Sequence, residues 1–216
     1  MDLSLIVPLG DSVQQIVSFS LQFMLTKIRI LLGQCQVKFN TFTNRGFWEL
    51  PIINLYHMKK VLMVCLGNIC RSPMAEGVFR QLAAVAHLDV FVDSAGTSNY
   101  HNGEHPDKRA IACLKQKGID IENLNSRQFI IEDFDNFDLI YAMDRLNYRY
   151  VTDMAKNEDQ SQKVKVLVEE FPHGNYEEVP DPYFKGAQEF EEVYDLLHST
   201  CQMLVTKLKS EFRLLN

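Results

Sequence analysis

The 216-residue sequence predicts an α/β fold: one domain on a four-stranded parallel sheet of order 2-1-3-4, flanked by helices. Three observations carry this. Short apolar runs alternate with segments of helical period from residue 59 onward. The run Val61-Leu62-Met63-Val64 is apolar throughout, as in a parallel strand covered on both faces. Chemistry-bearing residues follow directly after the runs, at strand carboxyl ends, where open α/β sheets hold their ligands.

Composition narrows the function classes. Apolar residues make up 46% and charged residues 23%, the balance of an ordinary globular protein. A net charge of −6 argues against a nucleic-acid partner, which calls for a basic surface. No apolar run approaches the ~18 residues of a membrane-spanning helix. Five cysteines without a framework spacing, one of them wanted as a thiolate, imply a reducing, cytoplasmic setting.

Residues 1–57 do not fit the rest. Ile6-Val7-Pro8, Val17-Ser18-Phe19, Ile28 to Leu32 and Ile52-Ile53 are apolar patches without a sustained period. A secretory signal is a poor match, because no basic start precedes the apolar part and no small-residue cleavage site follows it. Residues 1–57 are expected to be an N-terminal extension, with Met58 the natural start; a membrane- or partner-binding segment is the competing reading. Residues 58–216 suit a single α/β domain.

The organising stretch runs from Val61 to Glu76. After the first strand, Cys65-Leu66-Gly67-Asn68-Ile69-Cys70 reads as a tight loop, and Arg71-Ser72-Pro73 opens a helix. Ser72 is the expected N-cap and Pro73 the first helical residue. Ala75, Val78, Phe79, Leu82 and Ala86 give that helix its buried stripe. Successive loop N–H groups and a helix N-terminus form an anion site, here spanning Leu66 to Ser72. Gly67 lets the backbone turn, and Asn68 tolerates left-handed geometry and can bond across the loop. Arg71 offers a planar fork for two phosphate oxygens. The same positive environment should favour the thiolate of Cys65, a nucleophile, while Ser72 hydrogen-bonds the sulfur. The implied chemistry is phosphoryl transfer to Cys65, then hydrolysis of a cysteinyl-phosphate.

The remaining elements follow in order. Asp89 to Asp93 is the second strand, and Ser94 to Tyr100 a loop at its carboxyl end. Pro106 to Lys117 is a helix with Ala110, Ile111 and Leu114 inward, ended by Gly118; Cys113 on it reads as core. Ser126 to Phe129 is a short strand. Phe137 to Ala142 is the third main strand, ending in Met143-Asp144. Leu146 to Ala155 is a helix, and Val164 to Val168 the last strand. Val179-Pro180-Asp181-Pro182-Tyr183-Phe184 holds Asp181 in a stiff, extended segment. Neighbouring aromatics should reduce the solvation of Asp181 and keep part of it protonated, as a general acid requires. Tyr183 and Phe184 are expected to wall the cleft and stack on an aromatic leaving group. Ala187 to Phe212 is an amphipathic helix, with Cys201 near its buried stripe.

The run Val64-Cys-Leu-Gly-Asn-Ile-Cys-Arg-Ser-Pro-Met-Ala-Glu-Gly77 resembles the signature of the low-molecular-weight protein tyrosine phosphatases. Asp93-Ser-Ala-Gly-Thr97, Ala142-Met-Asp144 and Asp181-Pro-Tyr-Phe184 recur in that family's order. The resemblance spans about Met58 to the C-terminus and implies Cys65, Arg71 and Asp181 as catalytic residues. It also implies that Ser94 supports Asn68, that Tyr100 walls the cleft beside Ile69, and that Asp144 positions the active-site walls; as a helix N-cap Asp144 would look the same. Lys117 stands where some members carry a His that braces the loop. Phe184 replaces a second tyrosine.

The implied substrate is a phosphotyrosyl protein, with a tyrosine kinase as a further candidate partner, a monomeric state, no cofactor and no metal. Arg71 and backbone N–H groups supply the charge stabilisation. Three alternatives stay open. Protein-arginine phosphatases resemble this family but typically carry Thr where this chain has Ile69, and an apolar Ile69 favours an aromatic ester. Thiol-coupled arsenate reductases need relay cysteines after the second strand, where Cys113 stands alone. A non-catalytic phospho-binding module would have lost the acid, yet Asp181 is present. Cys70 invites a redox role with Cys65, as a thiol that traps its sulfenic form in a disulfide; a small buried filler is the other reading.

Overall fold

The computed structural model describes residues 58–214; the expectations for residues 1–57 lie outside the described residues. The elements run β1 (Lys59–Cys65), α1 (Arg71–Val85), β2 (Val90–Gly96), α2 (Lys108–Gln116), α3 (Asp133–Asn136), β3 (Leu139–Ala142), α4 (Arg145–Asp153), α5 (Glu158–Ser161), β4 (Val164–Val166), α6 (Leu167–Glu170) and α7 (Ala187–Leu214). The sheet is four-stranded with order β2-β1-β3-β4, and all three pairings are parallel. The predicted fold class holds.

Strand β1 is central because its side chains alternate between two cores. Val61, Met63 and Cys65 face α1 and α7 with Met74, Val78, Phe79, Leu197 and Leu204. Leu62 and Val64 face the other way, with Phe129, Phe134, Ile140 and Val151. Each layer is closed only when β1 has an apolar residue on both faces, which is why the run lacks polar alternation. Cys113 and Cys201 are buried in the first core, as expected.

Boundaries differ from the sequence expectation where pairing decides them. Strand β2 continues through Ser94 and Ala95, because the ladder to β1 runs on to the pair Cys65–Gly96. The expected strand at Ser126 to Phe129 reduces to one bridge between Gly96 and Gln128. Strand β4 ends at Val166, and Leu167–Glu170 turns into α6 instead of extending it. Helix α1 begins at Arg71 with Cys70 at the N-cap position, so Ser72 is not the cap. Among the described residues, no helix is long and apolar enough to cross a membrane.

Candidate active site

The β1 ladder delivers Cys65 to the carboxyl edge of the sheet, and the next five residues wrap back over it. Asn68 takes a left-handed conformation (φ 54°), tolerated by a short polar side chain. Its N–H donates to Cys65 Sγ at 3.2 Å. The loop's carbonyls are turned outward and tied to neighbouring segments. Cys65 O and Leu66 O accept from Thr97 N (2.8 Å) and Ser98 N (2.9 Å). Gly67 O accepts from Ser126 Oγ at 3.0 Å, and Ile69 O from Asp107 N at 2.8 Å. The N–H groups of Leu66, Gly67, Ile69 and Cys70 have no partner among the described residues. A ring of unpaired donors around a sulfur is an anion site.

The side of the loop turned into the protein is braced by a buried chain of hydrogen bonds. Ser72 Oγ lies 3.0 Å from Cys65 Sγ. Asn68 Nδ2 donates to Ser72 Oγ and to Ser94 Oγ, each at 2.9 Å. Ser94 Oγ donates onward to Glu76 Oε2 at 2.5 Å. Asn68 Oδ1 accepts from Arg127 N at 2.9 Å. Burial pushes the Glu76 carboxyl above its ordinary value, against the bond from Ser94 that holds it down. Asn68 and Ser72 thus shape the loop from behind, outside the cleft. Lys117 takes no part: it pairs with Glu191 at 2.9 Å.

Arg71 is buried, and both ends of its fork are engaged. Nη1 reaches Asp144 Oδ2 at 2.6 Å and Nη2 reaches Asp181 Oδ2 at 3.0 Å. Burial alone would lower the Arg71 pKa, but the charges of Cys65, Asp181 and Asp144 raise it above its ordinary value. Asp144 does not line the cleft. It stands behind Arg71 and caps α4, accepting from Asn147 N at 2.6 Å, so the N-cap reading holds and the expected place in the cleft does not.

Asp181 does not have the aromatic shielding expected for it. Its side chain is 46% exposed. Besides Arg71 on Oδ2, it accepts Tyr183 N on Oδ1 at 3.1 Å. Both oxygens are acceptors.

These groups meet in a cavity of about 300 Å³. Its base is Cys65, the loop and Arg71; Tyr100 and His101 form one side, and Asp181, Tyr183 and Phe184 the other. Tyr183 packs edge-on against Phe184 with ring centres 4.9 Å apart. The sequence reading missed His101. Its ring lies 4.9 Å from that of Tyr100 and 6.1 Å from that of Tyr183, and Nδ1 is 2.8 Å from Glu104 Oε2. A β-carbon on Gly67 would come within 3.0 Å of the His101 ring, so glycine there lets the ring sit against the loop. The sequence signals for His101 were its place beside Tyr100 and a glutamate three residues on. Glu76 and Arg127 were also missed. Among the described residues, no group of three or more His, Cys, Asp or Glu is arranged to hold a metal ion.

The chain resembles known proteins in sequence and in fold. A family model described as low molecular weight phosphotyrosine protein phosphatase matches residues 60–214. The chain is similar to the low molecular weight protein-tyrosine-phosphatase YfkJ of Bacillus subtilis, with 40% identity over 159 residues covering 73% of this chain and 100% of that protein. It is 39% identical to the human low molecular weight phosphotyrosine protein phosphatase over 156 residues, which cover 69% of this chain and 95% of that one. Among solved structures, a protein tyrosine phosphatase from Entamoeba histolytica, with Hepes in its active site, matches with a TM-score of 0.68 and 40% identity, covering 71% of this chain and 98% of that one.

Proposed function

The chain belongs to the low molecular weight phosphotyrosine protein phosphatase family, and on that premise we propose that Cys65, Arg71 and Asp181 hydrolyse phosphotyrosine on proteins. The observation that carries the assignment is Cys65 Sγ at the base of the cleft, 3.2 Å from the Asn68 N–H, inside a ring of unpaired loop donors. Phosphate oxygens fill the positions those donors and the Arg71 fork point to. The Cys65 sulfur attacks phosphorus in line; the S–P bond forms as the P–O bond to the tyrosyl oxygen breaks. Asp181 delivers a proton to that leaving oxygen. In the second step Asp181 takes a proton from water, the water oxygen attacks phosphorus, and the S–P bond breaks with Ser72 donating to the departing sulfur. The products are the tyrosyl hydroxyl and inorganic phosphate.

Arg71 Nε has no partner among the described residues and is open to phosphate, while Nη2 is shared with Asp181. Each Asp181 oxygen accepts one hydrogen bond and keeps a lone pair for the proton that the leaving group needs. Phosphate beside Nη2 brings negative charge next to the Asp181 carboxylate and opposes its bond to Arg71.

The walls support an aromatic ester. Ile69, Tyr183 and Phe184 offer apolar surface to a phenyl ring. Arsenate reduction has no support, because Cys113 is buried away from the cleft with its thiol pushed up to about 12, chiefly by burial. Cys70 faces the cleft beside Cys65. Burial, followed by the nearby Asp107 carboxylate, pushes its thiol well above the ordinary range, so it is a dormant neighbour until Cys65 is oxidised. Peroxide converts the Cys65 sulfur to a sulfenic acid; Cys70 then forms an S–S bond to it, releasing water. We place the enzyme in the cytoplasm, where thiols are restored.

The deciding assay is metal-free hydrolysis of phosphotyrosyl and phosphoarginyl peptides by the full chain. Phosphotyrosine is expected to be preferred, with activity falling at least about a thousandfold in Cys65→Ser and about a hundredfold or more in Asp181→Asn. Preference for phosphoarginine would keep the nucleophile and overturn the role given to Ile69; no hydrolysis of either would overturn the enzyme. In the same assay, peroxide-treated Cys70→Ser should recover less with thiol than the parent, and equal recovery would remove the redox role.

A further inference from the structure

The cleft does not end at the phosphotyrosine. A groove of about 1040 Å³ runs from it along α2, and Ile69, His101 and Tyr183 belong to both. Its floor is apolar, formed by Pro106, Ile111 and Ala112. A single phosphotyrosyl side chain uses the cavity over Cys65 and leaves this groove empty, whereas a polypeptide substrate has more chain to place.

The charges along the groove are mostly spent on one another. Glu104 shares a hydrogen bond with His101, and Asp107 makes three bonds to Arg109, which hold its carboxyl below the ordinary range. Lys115 and Glu122 face each other at 3.8 Å. Lys108 is exposed at the first position of α2 and has no carboxylate partner among the described residues. The region after β3 differs. There Arg145 meets Glu169 at 2.7 Å and the exposed Glu177 at 3.7 Å, and its backbone N–H donates to the half-buried Glu178, so one cation faces three carboxylates. An acidic segment is repelled there and finds an unpaired cation in the groove.

We propose that the groove along α2 binds the segment of substrate polypeptide adjoining the phosphotyrosine, with an apolar residue on Ile111 and Ala112 and a carboxylate against Lys108. This rests on the phosphatase assignment and names the class of protein substrate it takes: phosphotyrosine in an acidic, partly apolar context. The groove holds the flanking chain, and the cleft performs the chemistry.

The test uses the full chain with three phosphotyrosyl peptides, flanked by Asp, Ala or Lys, and phenyl phosphate as a substrate with no flank. In the parent, kcat/KM should be about threefold to fivefold higher for Asp-flanked than for Lys-flanked peptide, the size of an exposed ion pair, and the gap should close in high salt. Lys108→Glu should invert the ranking while leaving phenyl phosphate hydrolysis unchanged. A negative charge at the start of α2 suits the helix dipole and leaves the Asp107 cap intact, so the variant should fold. A parent that hydrolyses phenyl phosphate but ranks the peptides without regard to flank would overturn the groove and leave the phosphatase standing. An unchanged ranking in Lys108→Glu would overturn the role of Lys108. A parent that hydrolyses nothing would overturn the phosphatase and the groove with it.

Discussion

Arg71 has one fork and, in the site as it stands, two carboxylates on it. Asp144 is only 14% exposed and has a second duty at α4, so it is held in place. Asp181 is 46% exposed and its backbone is fixed between Pro180 and Pro182, so its side chain is the part that can leave. A phosphate ion entering the loop therefore competes with Asp181, not with Asp144. Replacing Asp181 by Asn removes the competing charge while keeping the shape. Turnover should fall, yet inorganic phosphate should bind about threefold to tenfold more tightly, as read by calorimetry on the full chain. Asp144→Asn should do the reverse, weakening phosphate, because it releases a buried guanidinium from its fixed partner. Unchanged or weaker phosphate binding in Asp181→Asn would mean that the Arg71–Asp181 pair does not oppose the substrate. These residues stood out in the sequence by context: Cys65 and Arg71 lie on one short loop between a strand and a helix, and Asp181 between two prolines gained its reading from that loop and from the family resemblance. Their pairing did not. A carboxylate that caps a helix and one that holds an arginine look alike in sequence, and His101 reaches the cleft only because residues 98–104 fold across the phosphate loop.

The loop is positioned by strands on either side of it, and β2 does most of this. Its ladder to β1 runs to the pair Cys65–Gly96, which brings Gly96 against the loop's backbone. A β-carbon at Gly96 would lie 2.8 Å from Leu66 O and 3.1 Å from the carbonyl carbon of Gly67. Both atoms are backbone, so neither can rotate away. Gly96→Ala should destabilise the fold by about 1–3 kcal/mol, the range for overfilling a packed site. It should also weaken phosphate binding, since relief requires the loop to move. Thermal unfolding read beside phosphate affinity tests this; an alanine variant with parental values of both would show that the loop yields without consequence. This dependence explains why element type was legible and element boundaries were not. The apolar run of β1 and the period of α7 are properties of their own residues. The end of β2 is set by how far β1 pairs with it, and β4 stops at Val166 because Leu167–Glu170 turns into a helix rather than continuing the ladder. Likewise Ser72 has the composition of an N-cap, but its hydroxyl is taken by Cys65 and Asn68, and the helix starts at Arg71.

Across the whole domain, carboxylates fall into two groups whose effects on stability run in opposite directions with pH. Glu76 is buried behind the phosphate loop, and burial raises its pKa against the pull of Ser94 and Arg80. Between its ordinary and its raised value the folded state binds more protons than the unfolded chain, so stability falls as pH climbs through that window. Glu170 goes the other way: burial would raise it, but hydrogen bonds from Lys207 and Lys165 win and lower it. Asp107, bonded by Arg109, is also lowered. The stability these two add is complete above their ordinary values and is lost as pH falls through the lowered ones. Unfolding free energy should therefore decline on both sides of the ordinary carboxylate range, for different reasons. Glu76→Gln should flatten only the alkaline limb. The measurement is urea unfolding of the full chain and of Glu76→Gln over about pH 3 to 8. The difference between them should grow in favour of the glutamine variant as pH rises through the window above the ordinary glutamate value, then level off. A constant offset at every pH would show that Glu76 titrates alike folded and unfolded. Glu76 also holds Ser94, and Ser94 holds Asn68 beneath Cys65. Its ionisation therefore reaches the nucleophile through three hydrogen bonds, the third from Asn68 N to Cys65 Sγ.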